Sequence, residues 1–138
     1  MKPRARAGRS ERAALTRLDV LVVLSPLAAR TEATQPAALL REALTARGLR
    51  HRIIETGPHG VPAKGIERAI QHAIDAGCRR FVAAGGDGTT SMVAGLLSRC
   101  KRRGSRPTLA IIPTGTANVL ARELGIPLEI PAAVALAL

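Results

Sequence analysis

Apolar and polar positions along this chain fall into blocks that switch between two periods. Val20 to Leu24 is a continuous apolar run, the mark of a strand buried on both faces, and Pro26 ends it. A helix is expected from Pro36, a residue suited to a first turn, through Leu39, Leu40, Ala43 and Leu44 to a stop at Gly48. Ile53 and Ile54 anchor a second strand from about Leu49 to Glu55, and Thr56-Gly57-Pro58-His59-Gly60 reads as loop. Ile66, Ala69, Ile70, Ala73 and Ile74 recur at helical spacing, and Gly77 closes that helix. A third strand runs from Arg80 to Ala84, and the helix after it buries Val93, Leu96, Leu97 and Cys100. Leu109 to Ile112 is a fourth strand, followed by the polar loop Pro113-Thr114-Gly115-Thr116-Ala117-Asn118. A helix then runs to about Leu124 with Gly125 behind it, and a last one starts near Pro131.

Strand and helix thus alternate four times at intervals of roughly 30 residues, which argues a parallel sheet with right-handed crossovers and helices on both faces. The fold class is α/β, a three-layer parallel-sheet domain over residues 18–138, preceded by a basic disordered tail over residues 1–17. The chain stops inside an apolar helical stretch, Ala135-Leu136-Ala137-Leu138, which reads as one half of something larger or as a fragment.

Composition narrows the possibilities. Of 138 residues 46% are hydrophobic but only 1% aromatic, so the core is built from Ala, Leu, Val and Ile. No apolar stretch approaches the roughly 20 residues of a membrane helix, and the basic amino terminus lacks the apolar segment of a secretory signal. Cys78 and Cys100 fit no redox or zinc spacing and read as buried reduced thiols, in keeping with a cytoplasmic location. The net charge of +11 concentrates in Lys2, Arg4, Arg6, Arg9, Arg12 and Arg17, and again in Arg99, Lys101, Arg102, Arg103 and Arg106. Such clusters attract polyanions, either nucleic acid or an anionic lipid surface, or else are solvated arginines. No aromatics interleave with them, so a base-stacking platform is absent and no specific nucleic-acid partner is expected.

The chemistry sits in two loops. Val82-Ala83-Ala84-Gly85-Gly86-Asp87-Gly88-Thr89-Thr90 is an apolar run, three glycines around one carboxylate, then two hydroxyls. Glycines let the backbone approach a bulky ligand, and the helix that follows offers unpaired N–H groups suited to phosphate. Amides from Gly85 to Thr89 are expected to cradle phosphate oxygens, with Thr89, Thr90, Thr114 and Thr116 adding hydroxyls. Asp87 has no acidic neighbour in sequence, and a lone carboxylate beside phosphates is costly unless a cation intervenes or it takes a proton. The plainer reading is a tight turn with Asp87 capping its own helix, Thr116 serving as an N-cap and Asn118 facing solvent. There is no GxxxxGK[ST] loop, and Ser91 stands where GxGxxG needs its last glycine. No GxSxG elbow or HExxH occurs. His51 and His72 read as surface residues, and His59 as a loop residue facing the same rim.

Gly85-Gly86-Asp87-Gly88-Thr89, followed by Pro113-Thr114-Gly115-Thr116-Ala117-Asn118-Val119-Leu120-Ala121-Arg122 and then Leu124-Gly125-Ile126-Pro127, resembles the diacylglycerol kinase catalytic domain, over residues 18–138. That family includes bacterial lipid kinases and sphingosine kinases and is related to NAD kinases. The resemblance implies the Rossmann-like, N-terminal half of the two-domain lipid kinase fold. It further implies ATP with Mg²⁺ as cofactors, and transfer of the γ-phosphate to the hydroxyl of diacylglycerol or a related lipid alcohol. A cytoplasmic enzyme touching the anionic inner face of the membrane would meet such a substrate. Carried over by position, the nucleotide-binding residues are Thr56, Gly85, Gly86, Asp87, Gly88, Thr89, Thr90, Gly115, Thr116 and Asn118. Asp87 is the catalytic residue, acting through a metal or as a proton acceptor. Two positions depart from the pattern: Ser25-Pro26-Leu27 replaces the usual Asn-Pro, and Ser91-Met92 replaces a frequent Asn-Glu. The family's second, β-rich domain for the lipid is absent from this sequence. The rival readings are an NAD-kinase-like phosphotransferase and a catalytically silent domain binding nucleotide or anionic surfaces. The motifs carry no mark of an oligomeric state.

Overall fold

A computed structural model describes residues 18–26, 35–57, 60–100 and 104–138. The basic tail, Leu27, His59, Lys101, Arg102 and Arg103 lie outside the described residues. In chain order the elements are β1 (Val20–Leu24), α1 (Pro36–Ala46), β2 (His51–Glu55), α2 (Ala63–Asp75), β3 (Arg80–Gly85), α3 (Asp87–Arg99), β4 (Thr108–Pro113), α4 (Val119–Glu123) and α5 (Ile130–Ala137).

The four strands form one sheet in the order β2-β1-β3-β4, and every neighbouring pair is parallel. β1 lies between two partners, with Val20 opposite both His51 and Arg80, which is why all five of its residues are apolar and buried. Alternate side chains feed two cores. On one face Leu21, Val23, Phe81 and Ala83 meet Ile66 and Ile70 of α2 and Val93 and Leu96 of α3. On the other Val22, Leu24, Val82, Ala84 and Ile112 meet Leu40 and Leu44 of α1 and Ala133 and Val134 of α5. The expected three-layer α/β architecture is therefore the observed one. Phe81, the single aromatic, is fully buried in the first core.

Strand β2 begins two residues later than the hydrophobic pattern suggests. The Leu49 amide is used to close α1, donating to the Leu44 carbonyl at 3.1 Å. Arg50 instead ties the sheet together, its backbone N and Nε donating to Asp19 Oδ2 at 2.9 and 3.0 Å and Nη2 to Oδ1 at 2.9 Å. That fork holds the Asp19 carboxyl at a pKa of about 2. Cys78 and Cys100 are buried and free, and burial pushes both thiols up, away from reactivity. No helix among the described residues is long and apolar enough to cross a membrane.

Candidate functional site

Because the strands are parallel and β3 adjoins β4, the loops that follow them open on one rim, at the carboxyl ends of the strands. They are stitched together by backbone. The Gly85 carbonyl accepts the amides of Thr114 at 3.0 Å and Gly115 at 3.3 Å. A Cβ on Gly115 would stand 2.5 Å from Gly86 Cα and 2.9 Å from Gly86 N, so no larger residue fits there without a shift. A Cβ on Gly85 would run into the Thr89 side chain. Gly88 differs: it is exposed, and a Cβ there would meet nothing within 4 Å. Helix α3 starts at Asp87, directly behind this turn, so the amides of Asp87, Gly88 and Thr89 have no acceptor within the helix.

Several side chains are set differently from expectation. Thr90 turns inward: it is buried and its hydroxyl donates to the Gly86 carbonyl at 3.2 Å, bracing the turn. Asn118 does not face solvent. It is 3% exposed with φ of 50°, a left-handed conformation that asparagine tolerates. Its Oδ1 accepts the Gly115 amide at 3.1 Å and its Nδ2 donates to the Gly115 carbonyl at 2.8 Å. Asn118, rather than Thr116, is the N-cap residue of α4, and Thr116 is exposed on the turn. The Thr114 hydroxyl is buried without a hydrogen-bond partner at the base of the same turn.

Asp87 makes no side-chain cap to α3; its carboxylate reaches across to the second loop instead. Oδ1 accepts the Leu120 amide and Oδ2 the Val119 amide, each at 3.1 Å. Those two amides hold the carboxyl below the usual aspartate range. The sequence gives no sign of this bond, since it joins residues more than 30 positions apart through a turn whose path the pattern does not describe.

Thr56 stands at the end of β2 on the same rim, its amide donating to the Leu24 carbonyl at 2.8 Å. Two strand spacings, roughly 10 Å, separate β2 from β3. Between them the Ser25 amide donates to the Ala84 carbonyl at 2.9 Å, and Leu24, Pro26, Pro36, Arg41 and Glu55 border a cleft of about 430 Å³. His51 starts β2 at the opposite end of the sheet, and His72 is half-buried on α2, so neither reaches the rim. Among the described residues no three His, Cys, Asp or Glu side chains gather to hold a metal ion. Each Asp87 oxygen spends one lone pair on an N–H and keeps another, so Asp87 alone could supply only one or two of the ligands a Mg²⁺ ion needs.

Fold and rim together define a Rossmann-like α/β domain with two interlocked glycine turns. A family model for the diacylglycerol kinase catalytic domain matches residues 19–138, and the chain belongs to that family of kinases. It is 51% identical over 69 residues to a Pseudomonas aeruginosa protein named probable lipid kinase YegS-like, covering 50% of this chain and 22% of that one. It is 44% identical over 78 residues to a diacylglycerol kinase of Bacillus subtilis, covering 54% of this chain and 24% of the relative. A crystal structure of a diacylglycerol kinase from Bacillus anthracis superposes with a TM-score of 0.64 at 27% identity, covering 84% of this chain and 38% of that one. The matched stretch therefore spans about a quarter of the length of these curated relatives.

Proposed function

We propose that the rim binds the phosphates of ATP and that the chain supplies the nucleotide half of a lipid kinase, which passes the γ-phosphate to the hydroxyl of diacylglycerol or a related lipid alcohol. The observation that carries this reading is the pair of interlocked turns over the start of α3. Gly86 and Gly115 bring backbone against backbone, Gly85 makes room for the Thr89 side chain, and Gly88 leaves open space beside amides that lack a helical acceptor.

The phosphates would be held by amides of Gly86 to Thr89, with Thr89 and Thr116 supplying hydroxyls from the two loops and Gly115 keeping the second loop close. Thr90 and Asn118 would serve by bracing the turns, since both are turned into the protein. Thr56 would meet a more distant part of the nucleotide. Bound ATP supplies the group to be transferred, and fixed N–H donors aimed at its oxygens provide positioning and charge stabilisation, which carry most of such a reaction. Mg²⁺ would arrive with the nucleotide, coordinated chiefly by phosphate and water. We place the lipid site in polypeptide outside these 138 residues, and the protein in the cytoplasm at the inner face of the membrane. Assignment to the lipid kinases rather than to NAD kinases rests on the second loop and on the family and relatives reported above.

Gly88→Leu tests the reading. Gly88 is exposed and a Cβ there meets nothing within 4 Å, so the melting temperature should hold while Mg·ATP binding by calorimetry falls at least about tenfold, the factor equivalent to 1.4 kcal/mol. A leucine variant that binds Mg·ATP as well as the parent would remove the rim from consideration.

A further inference from the structure

Three features of the molecule are not explained by phosphate binding at the rim. One is a line of exposed arginines at the amino ends of the strands, another an apolar groove beside β4 lined by Leu109, Ile111, Leu124 and Leu136, and the third the reach of Asp87 into α4. The third is carried by direct geometry.

We propose that Asp87 is a positioning residue, the joint that fixes the Thr114–Asn118 turn over the start of α3, and not the group that takes a proton from the acceptor alcohol. The inference rests on the nucleotide reading above for its functional consequence and on the hydrogen bonds alone for the joint. Helix α4 has only five residues and would be marginal without help at its amino end. Its own N-cap gives none: the Asn118 amide is turned back onto Gly115 at 3.1 and 2.8 Å. The amides of Val119 and Leu120 would be left without an acceptor, and Asp87 satisfies both, one oxygen each. Asp87 is itself the first residue of α3, so this contact ties the beginning of one helix to the beginning of the next.

Two consequences follow for chemistry at the rim. A carboxylate whose oxygens each accept an N–H is a weak base, a conclusion its lowered pKa supports. Its negative charge is also offset by the amides it holds, which answers how a lone acid can stand beside phosphates. The joint keeps Gly115 against Gly86 from the outer side, while the Gly85 carbonyl holds the same turn from within.

The test follows amide hydrogen exchange and Mg·ATP affinity in the wild type, Asp87→Asn and Asp87→Ala. Asparagine keeps one acceptor oxygen and alanine none. Exchange at Val119 and Leu120 should therefore speed up about tenfold in the first and further in the second, a bond to a charged group being worth at least that factor. Exchange in β3, at Val82 and Ala83, should not change. The Kd for Mg·ATP should rise in the same graded order, with Asp87→Asn retaining part of the affinity. Asp19→Asn, which weakens a comparable carboxylate contact at the far end of the sheet, should leave the Kd untouched. Unchanged exchange at Val119 and Leu120 in both variants would overturn the joint. Faster exchange with undiminished affinity would overturn its positioning role. A wild type that binds no Mg·ATP would overturn the nucleotide reading and that role with it, the exchange data then judging the joint by itself.

Discussion

Gly85, Gly86, Gly88 and Gly115 are chemically identical and physically distinct. At Gly85 and Gly115 the missing Cβ is a packing requirement inside the protein, because Thr89 and the Gly86 backbone occupy the space. At Gly88 nothing in the protein needs the space. Gly115→Ala should accordingly cost about 1–3 kcal/mol, the usual penalty for overpacking, measured as a lowered denaturant midpoint at constant slope. Gly88→Ala should be neutral or stabilise by up to about 1 kcal/mol through helix propensity, yet still weaken Mg·ATP binding. Equal destabilisation by the two alanines would contradict the distinction. The glycine pattern was readable in the sequence, since three glycines around a carboxylate after an apolar run are conspicuous. Which glycine serves packing and which leaves room for a ligand was not, because the answer depends on Thr89 and on a loop some 25 residues away being brought alongside.

At the scale of elements, hydrophobic period and helix-stopping glycines carried nearly everything. The run Val20–Leu24 coincides with β1, and Ile66, Ile70, Ala73 and Ile74 are all buried on α2. Gly77 follows α2 with φ of 90°, as a C-terminal glycine should. Boundaries slipped where polar bonds intervened, as at Leu49 and Arg50, whose amides are claimed by Leu44 and Asp19. Long-range polar contacts of this sort leave no periodic trace. Two stability measurements belong here. Leu44→Ala empties a fully buried site between α1 and the sheet and should cost about 2–5 kcal/mol in urea unfolding. The Asp19–Arg50 contact should show in acid. Asp19 titrates at about 2 when folded against 3.8 ordinarily, so its contribution is complete above pH 3.8 and lost as pH falls toward 2. Part of the wild type's fall in melting temperature across that range should be missing from Asp19→Asn; identical acid profiles would show that the pair contributes nothing measurable.

Over the whole molecule, parallel strands with helices between them sort the ends of every element. The amino termini of α1, α2 and α3 point toward the rim and their carboxyl termini toward the opposite pole. Arg47, the C-cap of α1, and Arg50, Arg79, Arg80 and Arg106 are exposed near that pole. Much of this chain's basic character among the described residues therefore stands away from the loops, so a phosphate at the rim would meet backbone amides more than side-chain charge. The alternation of elements was enough to read this polarity from sequence, and the two glycine loops singled out that rim as the candidate site. The clasp between them was not legible, for it consists of one carboxylate and two amides. That main-chain amides at the rim receive a triphosphate is tested most directly by an amide-resolved NMR titration of the 138-residue chain with Mg·ATP. Saturable shifts are expected at Gly86, Asp87, Gly88 and Thr89 and at Gly115 and Thr116, with Arg50, Arg79 and Arg80 unmoved. Saturable shifts confined to the arginine pole, or none anywhere on the folded chain, would contradict triphosphate binding at the rim.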